Sequence, residues 1–162
     1  MTPPWGPRRR WHPAPADPAP APASSGGYQE HTVTLPVTAA SVTLARRTAQ
    51  MAFTTFGVAP TAALLDAALL ITTELAANAV RHATASGHLD LTLGLSGHEL
   101  TIAVHDEDPT LPPWPPGSRY GAARRGLTVV ADLVTGHGGR LDLQPDYAAP
   151  GKTVRATLPR TT

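Results

Sequence analysis

A carboxylate and a carboxamide four residues apart in an otherwise apolar segment can share one ligand. The chain carries such a pair in Glu74-Leu75-Ala76-Ala77-Asn78-Ala79-Val80-Arg81-His82-Ala83. On a helix, positions i and i+4 project from the same face, so Glu74 and Asn78 can point at one molecule, with His82 continuing the row. A pair of this kind also occurs by chance on many solvated helix faces. What singles this one out is the order of motifs downstream. An acidic turn follows a strand at Val104-His105-Asp106, a helix starts at Gly126-Leu127, and Gly151-Lys152-Thr153 precedes a final strand. In that order they suggest a nucleotide site.

The elements that must position these residues follow from periodicity. Val33 and Leu35 alternate with polar neighbours and predict a strand over 31–35 that Pro36 ends. Val42, Ala45, Ala49, Ala52, Phe53 and Phe56 recur at three or four residues, which predicts an amphipathic helix over 39–56 closed by Gly57. A second helix is expected to begin near Pro60, whose missing donor is not needed in a first turn. Its stripe is Leu64, Ala68, Ile71, Leu75, Ala79 and His82, which leaves Glu74, Asn78 and Arg81 on a shoulder facing a pocket at the core edge.

Two strands over 88–95 and 99–105 follow, joined by the turn Ser96-Gly97-His98. The proline-rich stretch 107–125 reads as a loop, of the kind that serves as a lid or an insertion. A helix over 126–135, stopped by Gly136, Gly138 and Gly139, leads to strands over 140–144 and 153–158. The expected fold class is α+β: a two-layer sandwich whose mixed, largely antiparallel sheet of about five strands carries helices on one face.

A chain of 162 residues with 41% hydrophobic content can bury one ordinary core. Residues 1–28, rich in Pro and Ala, are expected to be a disordered tail, leaving a domain over 29–162. A net charge of +1 argues against a protein that coats nucleic acid or an anionic membrane. The run Arg8-Arg9-Arg10 reads as part of a solvated tail, and no apolar core follows it as in a signal peptide. The absence of cysteine excludes disulfides, thiolate-bound zinc, iron-sulfur clusters and a thiol nucleophile. The most apolar stretch, 62–80, is interrupted by Asp66, Glu74 and Asn78 and reads as a buried helix. A cytoplasmic address is the expectation, with no direct contact to nucleic acid or membrane.

The motifs together resemble the GHKL superfamily of ATP-binding domains, with its Bergerat fold, shared by gyrase, the heat-shock chaperone, histidine kinases and MutL. The wording Thr73-Glu74-Leu75-Ala76-Ala77-Asn78-Ala79-Val80-Arg81-His82-Ala83 is similar to that of the anti-sigma regulatory kinases, and the resemblance spans about 33–159. It implies Glu74 as the catalytic base and Asn78 as a magnesium ligand, with Arg81 and His82 as candidate phosphate contacts. The chemistry is sound, since an amide oxygen suits magnesium held mainly by phosphates and water, and a carboxylate one turn away can take the proton of an attacking hydroxyl.

The resemblance further implies Asp106 as the adenine-reading carboxylate and Arg125, Gly126 and Leu127 as the phosphate-binding helix start. Gly151 and Thr153 would form the last box, where the hydroxyl holds adenine through water. Two departures stand out. Arg124-Arg125-Gly126-Leu127 occupies the place of a common Gly-Arg-Gly-Leu, and Glu107-Asp108-Pro109 follows Asp106 where a glycine two residues on is frequent. The implied cofactors are ATP and magnesium. The implied activity transfers the γ-phosphate to a serine or threonine of an antagonist (anti-anti-sigma) protein, with a sigma factor as a further partner and a homodimer as the assembly. The alternative is a module that holds ATP without chemistry, or has lost it, and acts by sequestering its partner.

Overall fold

Alternation along the strands decides which face of the sheet is dry. The computed structural model describes residues 27–116 and 125–160. Nearly all of the expected N-terminal tail, with its arginine run, and the middle of the expected lid lie outside the described residues. Leu89, Leu91, Leu93 and Leu95 of β2 (His88–Leu95) and Leu100, Ile102 and Val104 of β3 (Glu99–Asp106) are each 3% exposed or less. Their intervening neighbours Thr92, Thr101 and His105 keep contact with solvent. This period of two puts every second side chain under the helices.

The other strands are β1 (Gln29–Pro36), β4 (Arg140–Pro145) and β5 (Lys152–Pro159), and the sheet order is β1-β2-β3-β5-β4. The expected sandwich is present, but all four pairings are antiparallel, so the sheet is not mixed. The helical crossover from β3 does bring β4 back in the same direction. β5 then turns back and inserts between them, separating the one pair that would have been parallel.

Helix α1 (Ala39–Thr55) buries Ala45, Ala49 and Phe53, spaced by four, on the sheet side. It ends in a Schellman arrangement, in which Gly57 N–H donates to Thr54 O at 3.0 Å and Val58 N–H to Phe53 O at 2.9 Å. Gly57 takes φ +95°, the left-handed region that favours glycine. Helix α2 (Ala63–His82) begins three residues later than expected. Pro60 instead sits in a turn closed by Ala62 N–H to Ala59 O at 3.0 Å, a position its fixed φ also suits. α2 lies between α1 and α3 (Arg125–Gly136) and buries Leu65, Ala68, Ile71, Leu75, Ala76 and Ala79. By length and composition α2 could cross a membrane, yet here it is the central helix of one apolar cluster shared by all three helices and the dry face of the sheet.

Candidate functional site

The last turns of α2, the ends of β3 and β5, the segment after β3 and the first turn of α3 converge at one edge of this core. A cavity of about 240 Å³ opens there. Leu111, Pro112, Pro113 and Leu127 give it apolar walls, and Asn78, His82, Thr110 and Lys152 line it with polar groups. Its size lies just under the ~300 Å³ at which ligand pockets commonly begin. Asn78 is only 9% exposed, and no side-chain hydrogen bond joins it to another described residue. A buried carboxamide without a partner among the described residues has its capacity open to a ligand.

Glu74 sits one turn earlier and addresses a different place. A β-carbon on Gly126 would fall 2.8 Å from Glu74 Oε2 and 3.2 Å from Arg81 Nη2. The carboxylate and the guanidinium therefore reach the first turn of α3, where the backbone amides lack intrahelical partners. Glycine at 126 is what allows this approach. Leu127, one residue on, turns into the cavity. The side chain of Arg125 lies outside the described residues, as does Arg124.

Asp106 is 5% exposed but does not line the cavity, because Lys152 stands in front of it. The two residues are register partners across β3 and β5. Lys152 Nζ donates to Asp106 Oδ1 at 2.8 Å and to the backbone oxygen of Asp108 at 2.9 Å, with Lys152 itself 4% exposed. Asp106 Oδ1 also accepts from Asp108 N–H at 3.0 Å. Lysine is almost never buried unless paired, and this pairing is complete enough to explain the burial.

Thr153 is not brought to the cavity. β5 starts at Lys152, and Lys152, Val154, Ala156 and Leu158 occupy its dry face, so Thr153 points to the opposite side beside Gln144 and Asp146. The adenine-holding hydroxyl expected at Thr153 is therefore in the wrong half of the sheet, and the residue that takes its place is Lys152. Gly151 does adjoin the site. It has φ +149°, and a β-carbon there would fall 2.7 Å from Asp106 O and 3.1 Å from His105 Nε2.

Asp108, part of the departure that follows Asp106 in the sequence, is a clamp. Its Oδ2 accepts from Ala85 N–H at 2.9 Å and its Oδ1 from Thr110 N–H at 2.9 Å, an Asx turn that fixes the root of the 107–116 segment. The amide of Ala85, the amide and side chain of Thr110 and the charge of Lys152 hold its carboxyl down at about 2, against the upward pull of burial. Sequence reasoning missed Lys152, Asp108 and Thr110. Only Lys152 left a signal, since the alternation of Val154, Ala156 and Leu158 extends back to it.

An antiparallel sheet roofed by helices, with an amide-bearing helix and a glycine helix start around one cavity, defines an ATPase domain of the Bergerat type. Residues 65–162 match the family described as histidine kinase-, DNA gyrase B-, and HSP90-like ATPase. The chain belongs to this family. Among solved structures it is similar to the mycobacterial sensor histidine kinase MprB, with 19% identity, a TM-score of 0.44, and coverage of 59% of this chain and 73% of that one. It is also similar to the histidine kinase domain of the Erythrobacter litoralis blue-light activated histidine kinase, with 22% identity, a TM-score of 0.41 and the same 59% of this chain, but only 45% of that one. No curated protein matches the chain.

ATPase domains of this family bind ATP, generally with magnesium. The residues present fit such a complex. Among the described residues no cluster of three His, Cys, Asp or Glu could hold a metal alone. The buried amide of Asn78 is the kind of single protein ligand that a magnesium held mainly by phosphate oxygens and water requires.

Proposed function

We propose that the protein is an ATP-dependent protein serine/threonine kinase of the anti-sigma type, acting on a small antagonist protein and engaging a sigma factor. The observation that carries this reading is the approach of Glu74 and Arg81 to the first turn of α3 at Gly126. That turn binds phosphate through free amides and the positive end of the helix dipole, and Arg81 adds a charged donor beside it. Glu74 then accepts the proton of a serine or threonine hydroxyl. The hydroxyl oxygen bonds to the γ-phosphorus as the β–γ bridging P–O bond breaks, and ADP keeps the electron pair. Magnesium, where bound at Asn78, supplies neutralisation of charge on the phosphoryl group. In this reading the protein works in the cytoplasm as a homodimer, without touching nucleic acid or membrane.

The test separates binding from chemistry. Calorimetry with magnesium-ATP is expected to show binding that Asn78→Ala abolishes and Glu74→Gln keeps. Transfer of labelled phosphate to antagonist proteins is expected to disappear in Glu74→Gln. Transfer retained in that variant removes Glu74 from the role of base. One observation favours a second reading, a partner-sequestering module without chemistry: the Asp106 carboxylate is already engaged by Lys152. That module would yield no phosphoprotein with any antagonist.

A further inference from the structure

The base of ATP carries an amine whose N–H groups need an acceptor, and the polar groups of the cavity wall differ in whether they can supply one. Lys152 cannot, because an ammonium only donates. Asp106 lies behind Lys152 and does not line the cavity, and its Oδ1 already receives Lys152 Nζ at 2.8 Å and Asp108 N–H at 3.0 Å. Asn78 and His82 stand on α2 with Glu74 and Arg81, on the side that faces the phosphates in the kinase reading. That leaves Thr110, the first residue of the wall that runs on through Leu111, Pro112 and Pro113.

A threonine hydroxyl turns to suit its neighbours, and Asp108 fixes how this one turns. The Asp108 carboxyl is held at about 2, so at neutral pH it is ionised and can only accept. It takes the backbone N–H of Thr110 at 2.9 Å on Oδ1 and a hydrogen bond from the Thr110 hydroxyl as well. With its proton committed there, the hydroxyl oxygen keeps lone pairs for the cavity that Thr110 lines. Two further bonds hold this support in place, Ala85 N–H to Asp108 Oδ2 at 2.9 Å and Lys152 Nζ to Asp108 O at 2.9 Å. We propose that Thr110 Oγ1, oriented by Asp108, accepts from the six-position amine of ATP, the role that the sequence resemblance implies for Asp106. The proposal rests on the nucleotide reading of the cavity.

Calorimetry on the full chain compares the magnesium complexes of ATP and of purine riboside triphosphate, which carries hydrogen in place of the amine. ATP is expected to bind about threefold to tenfold tighter, the scale of one neutral hydrogen bond. Thr110→Val keeps the shape of the side chain and removes the hydroxyl, so it is expected to bind the two nucleotides alike. Thr110→Ser, which keeps a hydroxyl, is expected to keep the difference. A wall that has merely shifted weakens both nucleotides together and leaves their ratio intact. A ratio unchanged in a folded Thr110→Val protein therefore overturns the proposal. Should a melting curve show that this variant does not fold, Thr110→Ala removes the same hydroxyl and is read in the same way. Equal binding of the two nucleotides by the unaltered protein overturns the proposal while leaving the nucleotide site intact. Binding of neither overturns the nucleotide reading itself, and the role of Thr110 with it.

Discussion

Two glycines near the site lack side chains for different reasons, and their alanine variants separate function from stability. At Gly126 the space is taken by the far ends of flexible side chains, Glu74 Oε2 and Arg81 Nη2. Alanine favours a helix over glycine by up to about 1 kcal/mol, so Gly126→Ala is expected to melt no lower than the unaltered protein. Its β-carbon must nevertheless push the Glu74 carboxylate aside. A displacement of about 1 Å at a reacting group can cost on the order of 10²-fold in rate, so single-turnover phosphotransfer should fall steeply while the melting temperature holds. At Gly151 the obstacles are the Asp146 carboxylate and, less able to yield, the backbone oxygen of Asp106 at 2.7 Å, and φ is +149°. Gly151→Ala is expected to lose about 1–3 kcal/mol, read as a lower denaturant midpoint at unchanged slope. A Gly151→Ala protein as stable as the original would mean that the β5 entry is not strained.

Elements carried by periodicity were legible in the sequence, and contacts made across the chain were not. The alternating leucines of β2 and the four-residue spacing in α1 place strands and helix within a residue or so, because burial on one face imposes those periods. β5 shows how little error is needed to lose a site. Starting it at Thr153 instead of Lys152 drops one residue and its pairing with Asp106 and Pro145, and because adjacent residues of a strand face opposite sides, the residue left out is the one that faces the cavity. Asp108 was opaque for another reason. Its partner Ala85 is 23 residues away, and only the packed molecule joins the end of α2 to the segment after β3 through it. That joint has a pH signature. The Asp108 carboxyl is held at about 2, below the roughly 3.9 of an unfolded aspartate, so its contribution is complete above the higher value and lost as pH falls toward the lower. Asp108→Asn is expected to lower the melting temperature at neutral pH, with the gap to the unaltered protein closing between about pH 4 and pH 2. A gap that persists unchanged to pH 2 would show that the charge is not what holds the joint.

For the whole molecule, the two faces of the sheet stabilise it by different means, and the open face is the one whose stabilisation changes as pH rises through neutrality. The helix side is closed by an apolar cluster that runs from Leu35 to Leu158 along the chain and contains no titrating group. The open side is tied by polar cross-strand contacts: Thr32 with Thr92 at 3.0 Å, Thr34 with Asp90 at 2.5 Å, and His105 Nε2 with Asp146 Oδ2 at 2.7 Å. His105 also faces Asp90, at 3.6 Å, so it draws β2, β3 and the β4–β5 connection together. Burial pulls its imidazole down, but the Asp146 hydrogen bond and the charges of Asp146, Asp90 and Asp106 outweigh burial and raise it above its ordinary value. A raised folded value means that the stabilisation is fully present below the unfolded value of about 6.5 and is lost as pH climbs through the folded one. In a domain that unfolds as one unit this local protonation is read globally. The melting temperature is therefore expected to fall as pH rises from about 6.5 into the alkaline range, and to stay nearly flat there in His105→Gln. Parallel melting curves for the two proteins across that range would mean that the open face is held by its threonines and not by the charged imidazole.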